Sequence, residues 1–368
     1  MSHAAAVQLG KIVDHHWKFH SEEQAKKISI EGFEYIILDP SDKALVRESI
    51  MQSLYMRQEN RQIVKQYVRC VTTIARFDYP DQWQSFLPQI GQLIQQGQQG
   101  DDKALIVGLQ GLKGLVKKYE YEMDDDREPL HSIVAQTFSV LGGIVNQVIA
   151  VEAEKAYEVL YLIAKIFYLS NQLKISPYLS DDRGANLDPW ILLLKTIMDR
   201  PVPAELDSPT EDMDEIQRRD SHICWKLKGI ASQCTYRLFS KYGNPKFSDE
   251  SLEEFSAAFK EKYAVPLLES HLQIVLRRPT NFVGSKALNF AIKYITQSTK
   301  MPATMGKLKP FVERLLTQVI VTPIMLLTHK DVTLFKEDPI EYVRKQYDFT
   351  ETLFAPKNTA VDLLTYLC

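Results

Sequence analysis

Cysteine is scarce in this chain. Four occur in 368 residues, Cys70, Cys224, Cys234 and Cys368, and none has the spacing of a zinc site or a redox pair. They are sparse and no signal-peptide pattern precedes them, so a reducing cytosolic or nuclear compartment is expected. Charge of one sign is lacking as well. Lysine and arginine total 44 against 47 aspartates and glutamates, a net charge of −3, so no overall basic field recruits nucleic acid or anionic lipid. Long apolar runs are missing too. The longest, residues 319–327, contains Thr322 and Pro323 and falls far short of the roughly twenty residues a membrane span needs.

Groupings that could do chemistry are equally absent. His15, His16 and His20 lie close together, but no glutamate base accompanies them as in H-E-x-x-H, and a zinc site needs further ligands. Gly108, Gly111 and Gly114 recur every third residue. No Lys-Ser/Thr pair follows and no strand precedes, so close helix packing explains them rather than a phosphate loop. No serine, cysteine or histidine grouping suggests a nucleophile. The expectation is a protein without enzymatic activity, metal or cofactor.

What the chain does have is amphipathic helix. Leu105, Leu109, Leu112, Val116 and Tyr119 fall on one helical stripe, as do Ala156, Leu160, Ile163 and Phe167. Strand-like alternation is nearly missing, with residues 33–38 as the single short candidate. Asp188-Pro189 and Asp338-Pro339 each offer a capping carboxylate followed by proline at the first helical position. Ser41 and Ser248 are the expected caps of two other helices. Gly97, Gly243-Asn244-Pro245 and Pro279 mark ends.

These signals predict helices near 4–17, 41–57, 59–76, 80–96, 102–121, 129–149, 153–172, 188–199, 220–242, 249–277, 283–298, 304–328, 339–354 and 357–368. Residues 18–40 and 200–219 read as loops. Consecutive antiparallel pairs of such helices, without strands, suggest an all-α fold: an α-solenoid, a superhelix of paired helices.

Several short motifs stand at the helix boundaries. They are Asp78-Tyr79-Pro80-Asp81-Gln82-Trp83, Lys117-Lys118-Tyr119-Glu120-Tyr121, Cys224-Trp225-Lys226-Leu227-Lys228, Arg237-Leu238-Phe239-Ser240-Lys241-Tyr242-Gly243-Asn244-Pro245 and Asp338-Pro339-Ile340-Glu341-Tyr342-Val343-Arg344. Each is weak alone. Taken in order, they resemble the importin-β karyopherins, and within them the importin-seven/importin-eight branch.

The resemblance implies HEAT or armadillo-like repeats. Residues 1–40 would be the truncated end of the family's N-terminal domain with a loop, and residues 41–368 a solenoid cut inside its last repeat. It also implies a nuclear transport receptor that shuttles through the nuclear envelope. Its partners would be Ran GTPase in the GTP form, basic protein cargo such as ribosomal proteins or histones, and phenylalanine-glycine nucleoporins. No direct nucleic-acid contact or membrane insertion is implied. A HEAT-type scaffold without Ran linkage, or an exportin of the same superfamily, is the alternative. Gly229 stands where the branch usually has a second tryptophan, so looser packing is expected there.

Two sets of residues are candidate contacts for Ran or cargo. Asn60, Lys65, Gln66 and Arg69 lie opposite the core stripe of the second helix of a pair; a solvated face is the other reading. Glu205, Asp207, Glu211, Asp212, Asp214 and Glu215 crowd a proline-bearing connection. Such like-charge crowding reads as a solvated, mobile loop or as an electrostatic clamp for a basic partner. A second acidic run, Asp124-Asp125-Asp126, reads as a turn. Trp83, Trp225, Asp338 and Arg344 read as structural motif residues: Trp83 filling a groove between helix pairs, Asp338 a cap, and Arg344 a partner in an inter-repeat ladder.

Overall fold

The structure, a computed structural model, describes residues 3–19, 36–210, 212–247, 249–327, 329–347 and 356–367. Glu211, His20, Ser248, most of the 18–40 loop, the first half of the strand candidate at 33–38 and the end of the 339–354 helix lie outside the described residues. Among the described residues there is helix and turn and no strand. Two compact units are formed, one of residues 1–144 and 165–173, the other of residues 145–164 and 174–368.

In the first unit, helices Pro40–Met56 and Arg61–Asp78 form an antiparallel hairpin. Arg47 meets Asp78 at one end, and Arg57 lies over the Tyr67 ring at the other. Phe86–Gln98 and Asp102–Lys118 form the next. Here the glycines carry the contact. A Cβ at Gly108 would lie 2.9 Å from Ile94, and one at Gly111 2.8 Å from Met51 and 3.1 Å from Ile90. Backbones can approach this closely only where no side chain intervenes.

Second helices then stack in parallel. Gln66 sits against Gly10 and Thr73 donates to Asp14 at 3.0 Å, setting Arg61–Asp78 alongside His3–His16. Gly114 meets Thr72, and the Lys118 ammonium donates to the Tyr79 carbonyl, which sets Asp102–Lys118 alongside Arg61–Asp78. In the second unit the same parallel register joins Ile223–Tyr242, Ser285–Ser298 and Pro356–Leu367. Gly229 faces Lys286, Tyr236 faces Phe290, and Phe239 stacks on Tyr294 with ring centroids 4.3 Å apart. Thr359 donates to Asn289, and Lys300 lies over the Tyr366 ring.

A recurring device closes the helix ends. The carbonyls of a helix's last turn lack intrahelical donors and carry the negative end of the dipole. Buried or half-buried cations from other segments supply what is missing. Lys43 donates to Trp17 and Phe19 carbonyls at 2.8 and 2.9 Å, just past helix His3–His16. Arg127 donates to Tyr119, Glu122 and Ser170 carbonyls. Arg200 does so at Ile149 and Val151, and Lys228 at Ile197, Met198 and Arg200. Burial depresses the pKa of the Lys228 ammonium to about 8.

Several boundaries differ from expectation, each for a physical reason. The helix expected from 80 begins at Phe86. The Asp78 carbonyl accepts from the amides of Gln82 and Trp83 in a turn, and the buried Asp78 carboxylate is fixed by Trp17 at 3.0 Å and Arg47 at 2.6 Å. Asp39, not Ser41, caps Pro40–Met56. Asp188 is inside its helix rather than capping it. The 249–277 helix breaks at Tyr263 into Glu253–Lys262 and Ala264–Leu276, because Pro266 lacks an N–H and its ring would strike the carbonyl of residue 262. The 304–328 segment becomes Pro302–Leu308, a 3-10 turn at Pro310, Val312–Leu315 and a π-helical stretch Leu316–Ile324.

The structure adds helices Pro177–Gly184, Met213–Asp220 and His329–Glu337. Asp124–Arg127 is a 3-10 turn. Gly229 is buried, and a Cβ there would lie 3.1 Å from the Lys286 side chain, so the position is well packed rather than loose.

Candidate interaction surface

Helix Arg61–Asp78 places the first set of candidate residues. Asn60 is its N-cap: the side-chain oxygen accepts from the amides of Gln62 at 3.2 Å and Ile63 at 3.1 Å. Asn60→Ala is therefore expected to cost about 1 kcal/mol. Urea unfolding checks this, and an unchanged midpoint would remove the cap from the account. Ile63, Tyr67, Cys70 and Ile74 fill the core. That leaves Lys65 and Arg69 exposed and Gln66 partly covered by the Gly10 turn. Arg69 is paired with Asp14, whose carboxylate also accepts from Thr73. Of this set, Lys65 and Arg69 present charge to solvent.

The acidic set is organised differently from a mobile loop. Leu206 is buried in a 3-10 turn, Ala204–Leu206. Asp212 caps helix Met213–Asp220 by accepting from the Glu215 amide at 2.9 Å. Glu215 is gripped by Arg218 and Arg219, and those hydrogen bonds pull its pKa down to about 2. Asp207 is bound by Arg277 at 2.5 Å and Asn281 at 2.9 Å. Asp220, which the sequence did not mark, accepts from the Ser285 amide and hydroxyl at the start of helix Ser285–Ser298. Internal cations neutralise much of this cluster. Glu205, Asp212 and Asp214 remain exposed.

The motif residues are placed as follows. Trp83 is 2% exposed and stacks on Phe86 at 3.9 Å. Trp225 is buried edge-to-face against Phe282 and beneath Gly284. Asp338 accepts from the Glu341 amide at 2.9 Å. Arg344 makes a two-pronged pair with Glu341 in its own helix. Among the described residues, no group of three or more His, Cys, Asp or Glu side chains could hold a metal ion. No helix there is long and apolar enough to cross a membrane.

Helix Asp102–Lys118 is buried on nearly every side. Its solvent-facing remainder beyond the first turn is Lys113, Lys117 and Lys118. Sequence alone did not single out Lys113, and Lys117 entered only through the Lys117-Lys118-Tyr119-Glu120-Tyr121 motif. Their i, i+4 spacing in a leucine- and glycine-rich helix, with no acid between them, was the available signal.

A family model described as Cse1 matches residues 113–368. The chain belongs to the Cse1 family. It is 31% identical over 367 residues to the importin beta-like SAD2 homolog of Arabidopsis thaliana, covering 99% of this chain and 33% of that protein. To human Importin-8 it is 28% identical over 365 residues, covering 98% of this chain and 33% of that protein. The resemblance to the importin-β karyopherins, on the importin-seven/importin-eight side, thus holds over nearly the whole chain. Among solved structures, "The exportin Cse1 in its cargo-free, cytoplasmic state" superposes with a TM-score of 0.73 at 17% identity, covering 99% of this chain and 36% of that one. The α-solenoid of HEAT-like helix pairs is the shared fold. The chain spans about a third of the length of the curated relatives it matches.

Proposed function

We propose that this Cse1-family chain is part of a nuclear transport receptor of the importin type. The observation that carries the reading is the similarity to importins, 28–31% identity across 98–99% of the chain, against 17% to the Cse1 exportin. The receptor binds protein cargo and Ran in its GTP form, and moves between cytoplasm and nucleus through contacts with phenylalanine-glycine nucleoporins. Each hairpin touches mainly its neighbours, so small rotations add up to a change in curvature. Ran-GTP and cargo favour different curvatures, and binding one weakens the other by the same factor in both directions. The surface terms come from side chains such as Lys65 and Arg69 in the first unit and Glu205, Asp212 and Asp214 in the second.

A pull-down with GTP-locked and GDP-loaded Ran tests the reading, on this chain and on the full-length product of its gene. The expected result is retention of the GTP form alone, with Ran-GTP releasing bound cargo. Equal or absent retention of both forms on the full-length protein would leave a HEAT-type scaffold. Cargo retained only together with Ran-GTP would make the protein an exportin.

A further inference from the structure

We propose that Ser208 is an acceptor site for a proline-directed serine/threonine kinase, and that Arg219 is the ready-made seat of the resulting phosphate. The inference goes beyond the transport-receptor reading and stands without it.

The sequence narrows the acceptor. Ser176, Ser208 and Thr322 are the serines and threonines followed directly by proline. Ser176 is 1% exposed. Thr322 lies within the π-helical stretch Leu316–Ile324, where its hydroxyl donates to the Thr317 carbonyl at 2.6 Å. Ser208 is exposed, and so is Pro209. The pair follows the Ala204–Leu206 turn and precedes the helix capped by Asp212. No helix has to unwind for a kinase to reach this dipeptide.

The structure supplies the seat. Arg219 is buried in helix Met213–Asp220, with its guanidinium 5.5 Å from the centroid of the Phe282 ring. Its Nε donates to the Glu215 carboxylate at 2.5 Å. Its two outer nitrogens turn to Ser208. One donates to the backbone carbonyl, the other to the hydroxyl oxygen at 3.3 Å. The chain is fastened on the Ser208 side as well. Arg277 and Asn281 hold the Asp207 carboxylate, and the Phe282 amide donates to the Asp207 carbonyl at 2.7 Å. Hydroxyl and guanidinium are thus placed together before any modification, so little ordering is needed to pair them. Arg218, exposed on the same turn of helix, is a second cation within the motif.

In the transfer step the bond from the γ-phosphorus of ATP to its bridging oxygen breaks and ADP leaves. A bond forms from that phosphorus to Ser208 Oγ, and the hydroxyl proton passes to the kinase's base. The new ester carries a charge of about −1.5 to −2 at neutral pH and three strong acceptor oxygens. A guanidinium binds such a group through parallel N–H bonds, far more strongly than it binds a neutral hydroxyl. Phosphorylation therefore turns a 3.3 Å contact into a latch between the 204–208 turn and helix Met213–Asp220. The two nearest acids oppose it little, because Asp207 and Glu215 are already answered by arginines.

Incubating the full chain with ATP and a proline-directed kinase tests the assignment, with Ser208→Ala as the blank. Mass spectrometry is expected to place the phosphate on Ser208 and to find none in the blank. A phosphorus NMR titration then reads the seat. The second ionisation of the seated phosphate is expected about one unit below that of the same phosphoserine in a peptide of residues 204–212, a roughly tenfold preference for the dianion. Arg219→Gln is expected to remove at least about half of that shift, and Arg219→Lys to restore part of it. The comparison of parent with peptide stands even if Arg219→Gln does not fold. Amide hydrogen exchange in helix Met213–Asp220 is expected to slow on phosphorylation. No phosphate on Ser208, a phosphate on Ser176 or Thr322 in preference to it, an ionisation equal to the peptide's, or faster exchange in the helix would each overturn the inference.

Discussion

Arg127→Ala is expected to lower the stability of the first unit by about 4 kcal/mol. The side chain is 2% exposed. One guanidinium nitrogen donates to the Tyr119 and Glu122 carbonyls at 3.1 and 3.3 Å, the other to the Ser170 carbonyl at 2.7 Å. Those carbonyls follow helix Asp102–Lys118 and close helix Glu154–Asn171. Truncation leaves two buried acceptors and one partly buried acceptor short of a donor and opens the volume of the side chain. A charge-assisted hydrogen bond is worth about 1.5–3 kcal/mol, and an abandoned acceptor costs a similar amount. The sum is reduced by partial collapse and by water entry. Arg127→Lys is expected to recover less than half, because one ammonium cannot span both carbonyl groups as a planar fork does. Urea unfolding followed by hydrogen exchange at the amides of Asp102–Lys118 measures this. A loss below about 1 kcal/mol would mean that the guanidinium is not the fastener described.

The second large effect is an acid limb carried by His271. This ring is fully buried, stacked on Tyr294 at 4.3 Å, with Nε2 3.0 Å from the Thr235 hydroxyl. Burial pushes its pKa down to about 3, against about 6.5 in an unfolded chain. Between those values the unfolded state holds a proton that the folded state does not. Stability is therefore lost as pH falls from about 6.5 toward 3 and is intact above that window. At pH 5 this single group accounts for about 2 kcal/mol. His271→Phe keeps the stacked ring and cannot titrate. Its stability is expected to be lower at neutral pH for want of the Thr235 contact, yet to fall less steeply between pH 6.5 and 4. Parallel slopes for variant and parent would show that His271 does not carry the limb.

Much of the helical order was readable because its signals are local. The 102–118 and 154–171 helices announce themselves through stripes of leucine, isoleucine and phenylalanine, and the 339 helix through Asp338-Pro339. The misplaced boundaries came from non-local terms. Nothing around Pro80 says that Asp78 will be buried against Trp17 and Arg47 and so hold residues 79–85 in a turn. The acidic stretch near Asp212 looked like a loop because its charges were counted without their cations. Arg218, Arg219 and the distant Arg277 settle them, and a short helix follows. Lys43, Arg127 and Lys228 were invisible for the converse reason. A lone cation on an amphipathic helix reads as solvated, and only the fold brings a helix end to it. The Lys113–Lys117 pair shares that ambiguity, while the glycine triplet at 108, 111 and 114 was legible because close packing asks for glycine whatever lies opposite.

The buried cations have one more implication. Their acceptors are main-chain oxygens, which every amino acid supplies. A joint of this kind makes a demand on the donor and almost none on the identity of the residue receiving it. The receiving stretches can therefore change their side chains without loosening the joint, so a helical-repeat protein built this way has latitude to remodel its outer faces while its frame stays put.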